Sequence, residues 1–140
     1  MTPHTPHDVI AHLMRRDAFS QLLGMEVLEA DLGRSVVRMR VRPDLVNGFG
    51  TLHGGALFSL ADSAFAFATN AGGMLSVAVD CTISFPVACR PGDVLTATAV
   101  EQSATNRLAF VEVTVRNQDD VDVGYFRGTV YRTTRTHDLT

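Results

Sequence analysis

The chain has 140 residues, 46% of them hydrophobic and 19% charged, with a formal net charge of −3 at pH 7. That length suits one domain spanning 1–140, able to bury on the order of 70% of its extended surface without a disulfide or metal staple. The negative balance argues against a nucleic-acid partner, which calls for a basic face. No apolar run reaches the roughly 18 uninterrupted residues of a membrane span.

The opening "MTPHTPHDVIAHLMRR" has neither the apolar stretch nor the small-residue cleavage site of a signal peptide, so a cytoplasmic location is expected. From about residue 7 to residue 23, Val9, Ile10, Leu13, Met14, Phe19, Leu22 and Leu23 recur near helical spacing. They predict one or two short helices that stop near Gly24. His4, His7 and His12 gather here and read as solvated side chains rather than a metal site; no metal and no cofactor is expected.

"MEVLEADLGRSVVRMRVRPD" predicts a hairpin turning at Gly33. In its second arm Ser35, Val37, Met39 and Val41 face one way. Val36, Arg38, Arg40 and Arg42 face the other, as a solvated sheet face rather than a nucleic-acid stripe. A long apolar helix follows from Gly54 to Asn70. Four strands come next: "SVAVDCTISFPVA", with Pro86 at a bulge or edge; "VLTATAVEQSA" after the "RPGD" turn; "RLAFVEVTVRN"; and "VDVGYFRGTVYRT". In the third of these, Ala109, Val111, Val113 and Val115 share one face. Cys81 and Cys89, taken as eight positions apart on one strand, would be about 26 Å apart, too far for a disulfide. They read as two reduced, packed thiols. The tail from about 135 to 140 is expected to be unstructured.

Runs of strands beside one buried helix indicate an α+β fold. Phe58, Leu60, Ala61, Ala64, Phe65 and Ala68 leave little of the helix for water. The solution expected is a curved antiparallel sheet of five or six strands, in meander order after the helix, wrapped around it. A second subunit would cover what the sheet cannot.

Gly54 and Gly55 mark the start of that helix. The first amides of a helix lack intrahelical partners and carry partial positive charge. A position without a side chain lets a ligand oxygen approach them. The same pair also suits a plain tight turn, and no Lys-Ser/Thr follows to make a phosphate loop. Asp62 is the only ionisable side chain between His53 and Asp80. Apolar helical neighbours raise a carboxyl's pKa, which suits a general base near neutral pH; a solvated or ion-paired Asp fits the residue equally well. Gly54 and Asp62 stand about 12 Å apart along one helix. A single carbonyl can touch both kinds of group only if they come from two chains, as in a two-fold dimer with antiparallel helices.

Asn47, His53-Gly54-Gly55 and Asp62, followed by "SLADSAFAFATN", resemble the hotdog-fold acyl-CoA thioesterases, specifically the phenylacetate-pathway (PaaI-type) group. The resemblance covers roughly residues 15 to 133, including the "GMEVLEADLGRSVVRMRV" hairpin, "TISFPVACRPGDVLTATA" and "GYFRGTVYR". It implies hydrolysis of an aryl- or arylacetyl-CoA to free acid and CoA, by a dimer or dimer of dimers. Asp62 would activate a water or attack the thioester carbon itself. The Gly54 N–H would hold the oxyanion, and Asn47 and His53 would orient the reacting groups. Related hydroxybenzoyl-CoA thioesterases tend to carry Glu at the acid and Thr one turn later. Asp62 and Ala66 favour the phenylacetate branch, whereas Pro86 and "VACRPGD" depart from the pattern. Gly55, Phe58, Phe65, Ala66, Thr69 and Arg107 are candidates for substrate contact, and Arg90 and Arg132 for CoA phosphates beside it, although Phe on a buried helix is usually core and ordinary surface charge is the plainer reading of the arginines. The competing readings are a hotdog enoyl-CoA hydratase or dehydratase and a non-catalytic acyl-CoA-binding protein.

Overall fold

The computed structural model describes residues 3–140. Helix α1 (Pro6–Arg16) begins with a capping box: the Thr5 hydroxyl accepts from the Asp8 N–H, and the Asp8 carboxylate accepts from the Thr5 N–H. Its Val9 and Ile10 are buried. Asp17 ends α1 and caps α2 (Ala18–Leu22). Strands β1 (Glu26–Asp31) and β2 (Arg34–Arg40) form the first hairpin, a 3-10 turn spans Pro43–Leu45, and α3 (Gly54–Asn70) is the long helix. Strands β3 (Met74–Ser84), β4 (Val94–Ala104), β5 (Leu108–Arg116) and β6 (Asp122–Thr136) complete one antiparallel sheet in the order β1-β2-β4-β5-β6-β3.

The alternating faces anticipated from the sequence are buried, with one correction: Val36, expected on the solvated face of β2, is buried as well, at 8% exposure. Ser35, Val37 and Met39 of β2, and Ala109, Val111, Val113 and Val115 of β5, lie against α3 with Leu95, Ala97 and Ala99 of β4. Small residues let the helix sit close: a Cβ at Gly128 would lie 2.6 Å from the Phe65 ring. The one hydroxyl on this face of β2, Ser35, donates to the Ala64 carbonyl at 2.6 Å, so its burial leaves no orphan. Gly33, at φ +69°, turns the first hairpin, and its N–H reaches the Ala68 carbonyl near the end of α3. This sheet wrapped around one helix is the hotdog arrangement.

Four other expectations are corrected. The last four strands are not a simple meander. β3 pairs with β6 at the edge of the sheet, while β4 lies beside β2. The connection from Phe85 to Asp93 must therefore cross from the edge to the middle, and it does so over the start of α3, where the Leu52 N–H donates to the Cys89 carbonyl. β3 consequently stops at Ser84, before Phe85-Pro86, and Cys89 lies in the connection rather than on the same strand as Cys81. Both cysteines are free.

The C-terminal strand continues to Thr136 rather than fading at Thr134, because it still has β3 to pair with. Beyond it the His137 Nε2 meets Asn70 Oδ1 at 2.8 Å, and the His137 N–H donates to the Gly73 carbonyl. His4 and His7 are exposed as expected. His12 is not a solvated side chain: α1 packs it down, and its Nε2 is enclosed without a hydrogen-bond partner among the described residues.

Candidate active site

The loop before α3 is organised by one side chain. Asn47 Oδ1 accepts from the Phe49 N–H at 2.9 Å and from the N–H and hydroxyl of Thr51 at 3.3 Å. Its backbone closes the same turn through Thr51 and Gly50, the latter at φ +79°. Three donors fix which end of the Asn47 amide is oxygen. The Nδ2 group then has no partner among the described residues and can reach outward from the loop.

His53 is the N-cap of α3. Its Nδ1 accepts from the Gly55 N–H at 2.9 Å, which puts the ring proton on Nε2. The His53 carbonyl accepts from the Ala56 and Leu57 amides. Of the first four helix amides, three are therefore satisfied within the turn. Only the Gly54 N–H has no partner among the described residues. Sequence reasoning expected Gly55 to contact a ligand as well, but His53 occupies its amide.

A cleft of about 280 Å³ opens at this amide, lined by Asn47, Leu52, Gly54, Leu57, Phe85 and Cys89, among others. Phe85 stands over the helix start: a Cβ at Gly54 would lie 3.3 Å from its ring. Burial, and the Asp93 charge behind it, push the Cys89 thiol up to about 11, so it is an inert wall rather than a nucleophile.

Asp62 sits two turns further along. It is half-buried and makes no hydrogen bond among the described residues. Burial raises its pKa above the ordinary carboxylate value, and the negative charge of Asp17 raises it further. The Cys81 thiol of β3 faces it and is itself pushed up, by burial first and by the Asp62 charge next. A carboxyl with raised basicity and free lone pairs can take a proton from water or attack a carbonyl carbon. An unpartnered amide at a helix start can hold a developing oxyanion.

The other candidates divide. Phe65 is core: it is 1% exposed and packs on Phe126 at 5.4 Å between ring centroids. Phe58 meets the same Phe126 ring edge-on at 5.5 Å. Neither lines the cleft at Gly54. Thr69 donates back to the Phe65 and Ala66 carbonyls and lies near the other end of the helix. Ala66 lines a separate hollow between α1 and α3, with His12 and Asp17. Arg107 is exposed in the β4–β5 turn, the sheet end nearest the helix C-terminus, where its carbonyl accepts from the Arg132 N–H. Arg90 instead begins the turn that follows Cys89.

Phe85, Leu52 and Leu57 carried no sequence signal as cleft residues, because the β3–β4 crossover brings them together. Among the described residues no three His, Cys, Asp or Glu side chains cluster as a metal site would require.

A model of the thioesterase superfamily matches residues 49–123. The acyl-coenzyme A thioesterase PaaI of Escherichia coli K12 is 41% identical over 123 residues, 87% of this chain and 88% of that one. The chain belongs to the thioesterase superfamily.

The solved structure of the E. coli PaaI protein, from the phenylacetic acid degradation operon, agrees with a TM-score of 0.89 at 38% identity. It covers 95% of this chain and 99% of that one. A hypothetical thioesterase protein of Streptococcus pneumoniae TIGR4, solved with coenzyme A, matches with a TM-score of 0.77 at 25% identity, over 81% of this chain and 88% of that one. The sheet around a central helix is thus the hotdog thioesterase fold, and this superfamily member is a thioester hydrolase. No helix among the described residues is long and apolar enough to cross a membrane.

Proposed function

We propose that the substrate is an acyl-CoA bearing an aryl or arylacetyl group, phenylacetyl-CoA being the model, cleaved to free acid and CoA. The reading is carried by one observation. A half-buried carboxylate and a helix-start amide, neither with a hydrogen-bond partner among the described residues, lie eight residues apart on α3. One thioester carbonyl cannot reach both on the same helix, about 12 Å apart. Two copies with antiparallel helices bring Asp62 of one against Gly54 of the other, giving two equivalent sites.

A second feature supports the pairing. β3 is an eleven-residue edge strand whose Val77 and Val79 are 44% and 60% exposed in the single chain. Long apolar edges of this kind invite another copy.

In this mechanism Asp62 takes a proton from water as the water oxygen bonds to the thioester carbon. The carbonyl oxygen becomes negative and is held by the Gly54 N–H of the partner subunit. The oxyanion then collapses, the C–S bond breaks, and the electron pair leaves on sulfur. A thiol of ordinary pKa near 8.5 departs as thiolate, so no strong acid is required. Asn47 Nδ2 and His53 Nε2–H would orient water or carbonyl in this mechanism, a role supported by their having no other partner among the described residues. The alternative is direct attack by Asp62, with the resulting anhydride hydrolysed in a second step. The chain is assigned to the cytoplasm, whose reducing conditions suit its two free thiols.

The test is a panel of aryl-, arylacetyl- and straight-chain acyl-CoA substrates assayed for thiol release. Fastest release from arylacetyl-CoA supports the proposal, and a preference for long straight chains overturns the substrate class. Interconversion of enoyl- and 3-hydroxyacyl-CoA without thiol release would instead establish a hydratase.

A further inference from the structure

We propose that Asp17 is a positioning residue for the chemistry at Asp62: helices α1 and α2 anchor a second carboxylate, through Ser20, to the turn of α3 that carries the reactive one. The inference rests on the reading of Asp62 given above.

Asp17 occupies the break between α1 and α2, and its side chain is fixed from both oxygens. Oδ1 accepts from the Ser20 N–H at 2.9 Å, and Oδ2 accepts from the Ser20 hydroxyl at 2.6 Å. Ser20 is 1% exposed, and its oxygen lies 2.7 Å from the Ser63 hydroxyl of α3. A hydroxyl has one proton to give. Since Ser20 gives its own to Asp17, Ser63 must donate to Ser20. A directed relay thus runs from Ser63 through Ser20 to Asp17, and Ser63 is the residue next to Asp62.

The relay locks α2 onto the turn of α3 that carries the reactive acid. It also keeps a like charge in the neighbourhood of that acid. Two carboxylates near one another disfavour ionising both, so the proximity of Asp17 keeps Asp62 more basic than burial alone would. The other titratable group within reach of the Asp62 charge is the Cys81 thiol on β3, which is neutral in its protonated form and adds no positive charge to offset the repulsion. A general base works best when its pKa approaches the working pH. The N-terminal helices, which the sheet does not need for its own pairing, therefore tune the site.

The experiment titrates the Asp62 carboxyl in the full-length protein by 13C NMR, alongside the pH profile of phenylacetyl-CoA hydrolysis. Asp17→Asn and Asp17→Ser both retain a good N-cap for α2 while removing the charge. In each variant the Asp62 midpoint and the acidic limb of the rate profile are expected to move to lower pH. Ser63→Ala, which keeps the charge and breaks the relay, is expected to move them less. An Asp62 titration unmoved in both Asp17 variants, with the fold intact by circular dichroism, overturns the proposal. Because the NMR titration needs no turnover, that result is separable from failure of the thioesterase reading, which is decided by the activity of Asp62→Asn.

Discussion

The Nδ1 of His53 accepts the N–H of Gly55 at 2.9 Å, and this bond decides which amide of α3 remains free. With Ala56 and Leu57 held by the His53 carbonyl, Gly54 presents to the cleft the one helix-start N–H that has no partner among the described residues. A histidine in this role is both cap and selector. It satisfies one donor of the helix start and leaves its neighbour for a ligand oxygen.

Gly54→Pro is the sharpest test of that selection. Proline is favoured at the first position of a helix and lacks only the N–H in question. The extended conformation of His53, φ −61° and ψ 131°, is what a residue before proline adopts. Thermal stability is expected to be retained, with Phe85 shifting to admit the ring. The rate of thioester cleavage is expected to fall roughly 10²–10³-fold. A variant of unchanged kcat would remove Gly54 from the mechanism.

Asp62→Asn is expected to lose at least about 10² in kcat and to melt higher than the wild type at neutral pH. The sign follows from the raised pKa. The folded chain holds the Asp62 proton to a higher pH than the unfolded chain, whose carboxyl titrates near 3.8. The unfavourable contribution is absent below that value, sets in as pH rises past it, and is complete above the folded pKa. Melting curves across this range should show the advantage of the variant shrinking to nothing as the solution is acidified. A constant difference at all pH values would point to packing instead of charge.

Mixed dimers decide whether the site is shared. Gly54→Pro and Asp62→Asn chains, co-expressed with different tags and purified as heterodimers, should regain one intact site in two. Activity near half that of the wild type is expected. Heterodimers as inactive as either parent homodimer would confine the chemistry to one protomer.

Single-turnover hydrolysis in H₂18O separates the two routes available to Asp62. With Asp62 as base, label enters the acid product and not the protein. Label recovered in the Asp62 carboxylate would establish direct attack.

Gly128→Ala should act on stability and leave the chemistry largely alone. Its Cβ would lie 2.6 Å from the Phe65 ring, which is clamped by Phe126 and has little room to turn. Overpacking of this kind is expected to destabilise by about 1–3 kcal/mol, read from urea unfolding. Phe65→Leu in the same chain should return part of the loss. If Gly128→Ala alone unfolds no more easily, the sheet can yield there.

Much of the architecture was legible because it follows from periodicity. The two-residue alternation of β2 and β5 places Val37 and Val113 inward whatever lies beyond them. The near-continuous apolar surface of residues 54 to 70 requires a helix that is covered on most sides. The spacing of Asn47, His53, Gly54 and Asp62 could be read directly, since loop turn, cap and helix position are local features. The crossover was not legible. Nothing in "TISFPVACRPGD" states that β3 pairs with β6, which is decided by contacts some fifty residues away. For the same reason Phe85 could not be seen as the residue over Gly54, nor Cys89 as part of the cleft wall. That Phe65 and Phe58 pack on Phe126 was not legible either, because that ring lies more than sixty residues away.

The sequence by itself determined the helix, its cap, the facing of the strands, and the presence of one lone acid two turns from a glycine-rich start. These follow from bonds and side-chain directions within a few residues. Only the tertiary structure decided that Phe85 and Cys89 close a cleft over the Gly54 amide, that Asp62 is left without a hydrogen bond among the described residues, and that Asp17 is tied to the same turn through Ser20 and Ser63. Those outcomes depend on which distant segments fill the space around a side chain, and local pattern carries no record of that.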